Sequence, residues 1–120
     1  ERAHAMGLIV YIHARGGIVE YDKIDLPSIE GKTPIEIFEQ VLRHEQTVTS
    51  KINELYEQAE NIKDRAAQHF LNWYIDEQVE EEDNVNGVLT TLKLIENDKH
   101  ALLMYDKELA QRTFQAPTIG

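Results

Sequence analysis

Apolar side chains recur every three or four positions along two long stretches, and this pattern predicts two amphipathic helices at residues 34–62 and 65–95. The inward-facing stripe of the first is Phe38, Val41, Glu45, Val48, Ile52, Leu55, Ala59 and Ile62. The stripe of the second is Ala67, Leu71, Tyr74, Gln78, Glu81, Val85, Val88, Leu92 and Ile95. Such stripes form the seam of a helical bundle or a coiled coil, so the expected fold is all-α.

Short local signals mark where the helices begin and end. Thr33 is expected to be an N-cap, because proline follows it and Glu36 lies three residues on, which together predict a capping box. Gly16 and Gly17 end an earlier helix, since glycine readily adopts the left-handed C-cap conformation. The predicted order, within one domain at 1–120, is the end of a helix at 1–15, a long crossover loop at 16–33, helices at 34–62 and 65–95, and a short last helix at 99–112.

Both inward stripes are apolar except near their middle, where carboxylate and amide side chains intrude. If the two long helices form an antiparallel hairpin folded near residue 63, Glu45 lies opposite Glu81 and Val48 lies opposite Gln78. Two carboxylates would then share one layer of an apolar core. Burying them is costly unless they protonate or bind a cation.

The N-terminal segment adds a Glu-x-x-His pair, Glu1 and His4, on the inward face of its helix. One interpretation of these polar groups is structural, because a buried polar residue can fix the register between helices. The other is a metal site, favoured by carboxylates and an imidazole that come from three different helices. Oxygen-rich ligands with one imidazole suit iron or manganese better than structural zinc.

The composition narrows the possible partners. The chain has no cysteine, so disulfides and thiolate ligands are excluded, and its formal net charge of −10 suits cations or basic partners. The same charge argues against binding to nucleic acid or to an anionic membrane, and no apolar run is long enough to span a bilayer.

Four segments of the chain resemble a known family. ERAHAM, HEQTVTSKINELYEQA and FLNWYIDEQVEEE look like the second, third and fourth bundle helices of a non-haem bacterial or archaeal ferritin, and HALLMYDKELAQR resembles that family's short fifth helix. The resemblance covers nearly the whole chain. It implies a ferritin-like four-helix bundle with a long crossover loop and a short C-terminal helix.

The resemblance also implies an activity, the oxidation of ferrous to ferric iron at a di-iron ferroxidase centre. Glu1 would bridge the two irons and His4 would ligate the first of them. Glu45 and Glu81 would hold the second iron, with Gln78 as its neighbour in place of a carboxylate. No nucleic acid or membrane takes part, and oxygen or peroxide would accept the electrons.

Glu77 and Glu80 match residues that help to form a third, lower-affinity iron site on the path to the cavity in several family members. The resemblance further implies that the chain self-associates into a cage of many subunits in the cytoplasm, and that iron is stored there as a mineral.

No haem is expected. Bacterioferritin is similar to this pattern but carries a haem-ligating methionine directly after the bridging glutamate, whereas Arg2 follows Glu1 here. It also carries a second Glu-x-x-His on its last long helix, where this chain reads Gln78-x-x-Glu81.

The family's first bundle helix and the start of its second have no counterpart in this chain, so the fold is expected to be N-terminally incomplete and the centre one glutamate short. Two non-catalytic interpretations therefore stay open. The chain could be a helical scaffold whose polar layer only sets register, or a defective ferritin subunit that only co-assembles with intact ones.

Overall fold

The computed structural model describes residues 1–113, and the regular elements of this part are four α-helices. They are α1 (Arg2–Ala14), α2 (Pro34–Asn61), α3 (Arg65–Ile95) and α4 (Lys99–Ala110). This confirms the all-α prediction for the described residues, and each helix begins and ends within two residues of its predicted range. None of these helices combines the length and hydropathy that crossing a membrane requires. The tail FQAPTIG, expected to follow the last helix, lies outside the described residues.

The described residues group into two compact units. Glu1–Ser28 belongs to the first, which contains α1 and the irregular segment after it, and Ile29–Arg112 forms the second, which contains α2, α3 and α4. The single domain expected from the sequence stays a prediction.

The first unit shows why α1 stops where it does. The Gly17 N–H donates to the Ile12 carbonyl at 2.8 Å and the Gly16 N–H donates to the His13 carbonyl at 3.0 Å, which is the Schellman pattern of a helix C-terminus. Gly16 has a φ of 77°, in the left-handed region that favours glycine. A Cβ on Gly17 would lie 2.8 Å from a methyl group of Ile12, so glycine is needed there for space.

The second unit begins with the predicted capping box. The Glu36 N–H donates to Thr33 Oγ1 at 3.2 Å, and the Thr33 N–H donates to the Glu36 carboxylate at 2.9 Å. Pro34 lies in the first turn of α2, where its missing N–H costs no intrahelical hydrogen bond. The helix start read from the sequence is therefore confirmed.

A three-residue turn joins α2 to α3. Asp64 donates from its backbone to the Ala59 carbonyl at 2.8 Å and Lys63 donates to the Glu60 carbonyl at 3.0 Å, which again makes a Schellman motif. Lys63 has a φ of 58°, which is unusual for a residue with a side chain. The Asp64 side chain then caps α3 by accepting from the Ala67 N–H at 3.0 Å.

The core of this unit lies along the seam between α2 and α3. Its buried residues are Glu45, Ile52 and Ala59 from α2, and Gln68, Leu71, Tyr74, Gln78, Val85, Val88, Leu89 and Leu92 from α3. Leu55 and Ile62, which the periodicity placed on the inward face, are exposed. Ile62 is the C-cap residue of α2, beyond the last turn that packs on α3. At Leu55, the buried positions of α2 recur every seventh residue, and Leu55 lies between two of them.

The short helix α4 packs against the end of α3. Asp98 caps it by accepting from the Ala101 N–H at 3.0 Å. A cleft of about 270 Å³ at this end of the hairpin is lined by Pro34 and Ile35 from the start of α2, by Leu92 from α3 and by Leu102 from α4. The first turn of α2 therefore lies beside the last turns of α3, as an antiparallel hairpin requires.

Candidate metal centre

Two polar side chains meet in the middle of the α2–α3 seam. Glu45 is only 5% exposed and Gln78 only 3%, although apolar residues surround them along both helices. The Gln78 Nε2 lies 3.2 Å from the Glu45 carboxylate and 3.1 Å from the Glu45 backbone carbonyl. A buried carboxylate needs such donors, because they replace part of the hydration that it loses.

Thr49 completes this contact and was missed by the sequence reasoning. Its hydroxyl donates to the Glu45 carbonyl at 3.0 Å and accepts from the Gln78 Nε2 at 3.2 Å. Glu45 and Thr49 lie on either side of Val48, the residue predicted to face Gln78, so these bonds agree with the predicted register. The sequence does contain a signal for this contact, which is a threonine one helical turn after an inward-facing glutamate.

Glu77 and Glu81 are one turn apart on α3, and both are half-buried. One carboxylate oxygen of each lies within 4.8 Å of the other. Two negative charges at this distance repel, and a cation between them would convert that repulsion into attraction. Glu80 is exposed, as is Asp83, so the acidic run in the middle of α3 divides into half-buried and exposed groups.

The structure therefore assigns the two glutamates of the predicted polar layer to different surroundings. Glu45, expected to face Glu81, is buried and bonds to Gln78, whereas Glu81 is half-buried and lies near Glu77.

Glu1 and His4 lie one turn apart at the start of α1. Glu1 is the exposed N-cap residue, and its carboxylate oxygen lies 3.9 Å from the His4 Nδ1. The two groups thus share one side of the first helical turn, as the Glu-x-x-His spacing predicts.

The polar side chains described for α2 and α3 include carboxylates and one amide, and the start of α1 carries a carboxylate and an imidazole. Carboxylate oxygen and imidazole nitrogen are donors that suit ferrous and ferric iron or manganese, and the composition excludes thiolate ligands.

Comparison with known proteins identifies the class. Residues 1–95 match the family model described as a ferritin-like domain. The bacterial non-heme ferritin of Staphylococcus aureus is 40% identical over 114 residues, which is 95% of this chain and 69% of the relative. The corresponding protein of Staphylococcus haemolyticus is 41% identical over the same shares of the two chains.

Solved structures give the same result. An open pore ferritin from the hyperthermophilic archaeon Archaeoglobus fulgidus has a TM-score of 0.88 and 44% identity, covering 92% of this chain and 68% of that one. A humanized archaeal ferritin has a TM-score of 0.89 and 44% identity, covering 93% and 68%. The chain belongs to the bacterial and archaeal non-haem ferritin family.

Proposed function

We propose that this protein oxidises ferrous iron at a di-iron centre and stores the ferric product inside a cage of many subunits. Each subunit of this cage would be a ferritin-like bundle with a long crossover loop. Membership of the ferritin family supports this function. The structural observation that carries it is the buried Glu45–Gln78 contact, because it places a carboxylate at a position where a helical seam is otherwise apolar.

Three of the four described helices would contribute residues to the proposed centre. From α1, Glu1 would be shared by the two irons and His4 would ligate the first. Glu45 on α2 and Glu81 on α3 would hold the second, with Gln78 beside it. These assignments rest on the family resemblance and on the chemistry of the side chains.

The ligand chemistry explains why such a centre favours oxidation. Carboxylates are hard anionic donors that stabilise ferric over ferrous iron, so they make loss of an electron easier. Each ferrous ion loses one electron, and oxygen or peroxide takes up these electrons together with protons. Glu77, which is half-buried, and the exposed Glu80 would help to form a third, lower-affinity iron site on the path to the storage cavity.

Initial rates of ferric absorbance in Glu81→Ala and Asp83→Ala variants test the centre. Both substitutions remove one acidic side chain from the same part of α3. Glu81 is half-buried, whereas Asp83 is exposed. Loss of the Glu81 ligand should slow oxidation at least about 10-fold, whereas Asp83→Ala should leave the rate within about twofold of the parent. Equal effects of the two variants would contradict the proposed ligand set.

Thermal unfolding with and without Zn²⁺, which binds but is not oxidised, separates binding from turnover. A ligand that binds only the folded state at 100 times its Kd stabilises by about 2.7 kcal/mol, so the unfolding temperature of the parent should rise. Glu81→Ala should lose most of this shift. A parent that neither binds Zn²⁺ nor oxidises iron would favour a scaffold over a ferroxidase, and its mass in solution would show whether it still assembles.

A further inference from the structure

The Thr49 hydroxyl makes two hydrogen bonds with opposite roles. Its single hydrogen points to the Glu45 carbonyl, which lies 3.0 Å away within α2. The oxygen lone pairs are then left to accept from the Gln78 Nε2, which lies 3.2 Å away on α3. Because a hydroxyl has one hydrogen, donating it to the backbone fixes the hydroxyl as an acceptor towards Gln78.

This arrangement determines which way the Gln78 amide faces. The Nε2 meets the Thr49 hydroxyl oxygen, the Glu45 carbonyl and the Glu45 carboxylate, all of which accept. An amide nitrogen carries two hydrogens and can serve these three acceptors only by sharing one of them. A flipped amide would place its oxygen against three other oxygens. The amide oxygen of Gln78 must therefore lie on the side away from the Glu45 carboxylate.

The same contact also restrains the carboxylate. The Glu45 Oε2 accepts from Gln78, so rotation of the carboxylate would break a hydrogen bond in a buried position. A ligand held in one orientation binds a metal more tightly than one that must be ordered first.

We propose that Thr49 is a positioning residue of the metal centre, which fixes the Gln78 amide and through it the orientation of the Glu45 carboxylate. This inference rests on the proposed function, because it assigns Thr49 a part in presenting Glu45 to iron. Thr49 is only half-buried, and its contribution goes through the cross-helix hydrogen bond rather than through packing.

Thr47 provides a matched control in the same helix. Its hydroxyl donates to the Arg43 carbonyl at 3.0 Å, which is the bond that Thr49 makes to Glu45, but Thr47 lies on the exposed face of α2. Threonine hydroxyls commonly bond to the carbonyl one turn earlier. A comparison of Thr49 with Thr47 therefore isolates the contact with Gln78.

The test uses the full chain with Thr49→Val, Thr49→Ser and Thr47→Val substitutions. Valine has nearly the shape of threonine without the hydroxyl, and serine keeps the hydroxyl without the methyl group. We expect Thr49→Val to bind Co²⁺ about 10-fold more weakly, with an altered visible absorption spectrum, and to oxidise ferrous iron correspondingly more slowly. Thr49→Ser and Thr47→Val should match the parent within about twofold in affinity, spectrum and rate.

Two results would overturn the inference while leaving the proposed function intact. If Thr49→Val matches Thr47→Val in an active protein, the hydroxyl does not position the site. If Thr49→Ser is as defective as Thr49→Val, the hydroxyl alone does not preserve the site, and the fit of the whole threonine side chain is what matters. Should Thr49→Val fail to fold, Thr49→Ala replaces it, since it differs from Thr49→Ser by the hydroxyl alone. A parent that neither binds Co²⁺ nor oxidises iron overturns both proposals.

Discussion

Leu92 and Leu94 of α3 allow the packing of the seam to be tested with a single kind of substitution. The two leucines are separated by one residue, but Leu92 is 4% exposed and Leu94 is 82% exposed. Replacing each by alanine removes the same atoms from the same helix. The difference between the two variants therefore measures burial, because helix propensity contributes equally to both.

The structure sets the expected size of the effect. Burying a leucine side chain is worth about 1.5–3 kcal/mol, and a cavity left behind adds to the loss. Leu92 lines the cleft beside Pro34 and Ile35, where neighbouring side chains can partly close the gap. We therefore expect Leu92→Ala to cost about 2–3 kcal/mol, in the lower part of the range for core leucines. Leu94→Ala should change the free energy of unfolding by less than about 0.5 kcal/mol.

Urea unfolding followed by far-ultraviolet circular dichroism measures this difference. The slope for a protein of this size is about 1–3 kcal/mol per molar urea, so Leu92→Ala should lower the midpoint by about 0.7–3 M. All variants are compared at one protein concentration, because assembly makes stability depend on it. Equal midpoints for the two variants would refute the packing described for the hairpin, and a large loss at Leu94 would show that another chain buries it.

Two further predictions concern local conformation and pH. Lys63→Gly should stabilise the protein by about 0.5–1 kcal/mol in urea unfolding, because Lys63 has a positive φ that glycine adopts without strain. The control Lys51→Gly, in the middle of α2, should destabilise the protein by about 1 kcal/mol, because glycine is unfavourable inside a helix. Burial raises the pKa of Tyr74 above its usual value of about 10, so its contribution to stability is complete below pH 10 and is lost as pH rises through the raised pKa. Tyr74→Phe should therefore flatten the alkaline fall in the free energy of unfolding and remove a phenolate that forms above pH 10 in a spectrophotometric titration, and an unchanged titration would contradict this burial.

The helices were largely predictable because their ends are set by local chemistry. Thr33 caps α2 through a box that involves only its near neighbours, and Gly16 adopts the left-handed conformation that the sequence suggests. The last helix ends at Ala110, two residues before its predicted end, because the Gln111 and Arg112 N–H groups donate to carbonyls three residues earlier rather than four.

Burial and polar contacts were less predictable, because they depend on how one helix meets another. Leu55 lies on the predicted inward face of α2 yet is exposed, whereas Gln68 is buried and accepts from the Arg65 side chain at 2.8 Å. Periodicity finds the face of a helix, but it cannot show which polar side chain on that face gains a partner. Thr49 was missed for the same reason, since its role exists only when Gln78 of α3 is in place.

Glu45 places a carboxylate in the core between α2 and α3. Neither Gln78 nor Thr49, which contact Glu45, carries a charge that would compensate this carboxylate. The Gln78 amide donates a hydrogen bond to the carboxylate but carries no charge, so it lowers the cost of burying Glu45 without supplying a countercharge, whereas the Thr49 hydroxyl donates to the Glu45 backbone carbonyl. A lysine at position 78 would stabilise the same carboxylate more strongly, but it would compete with a metal ion for it. The apolar layers on either side, such as Ile52 and Val85, supply the packing that makes this local cost tolerable. Placing a neutral donor beside a buried carboxylate thus trades stability for the capacity to attract a cation.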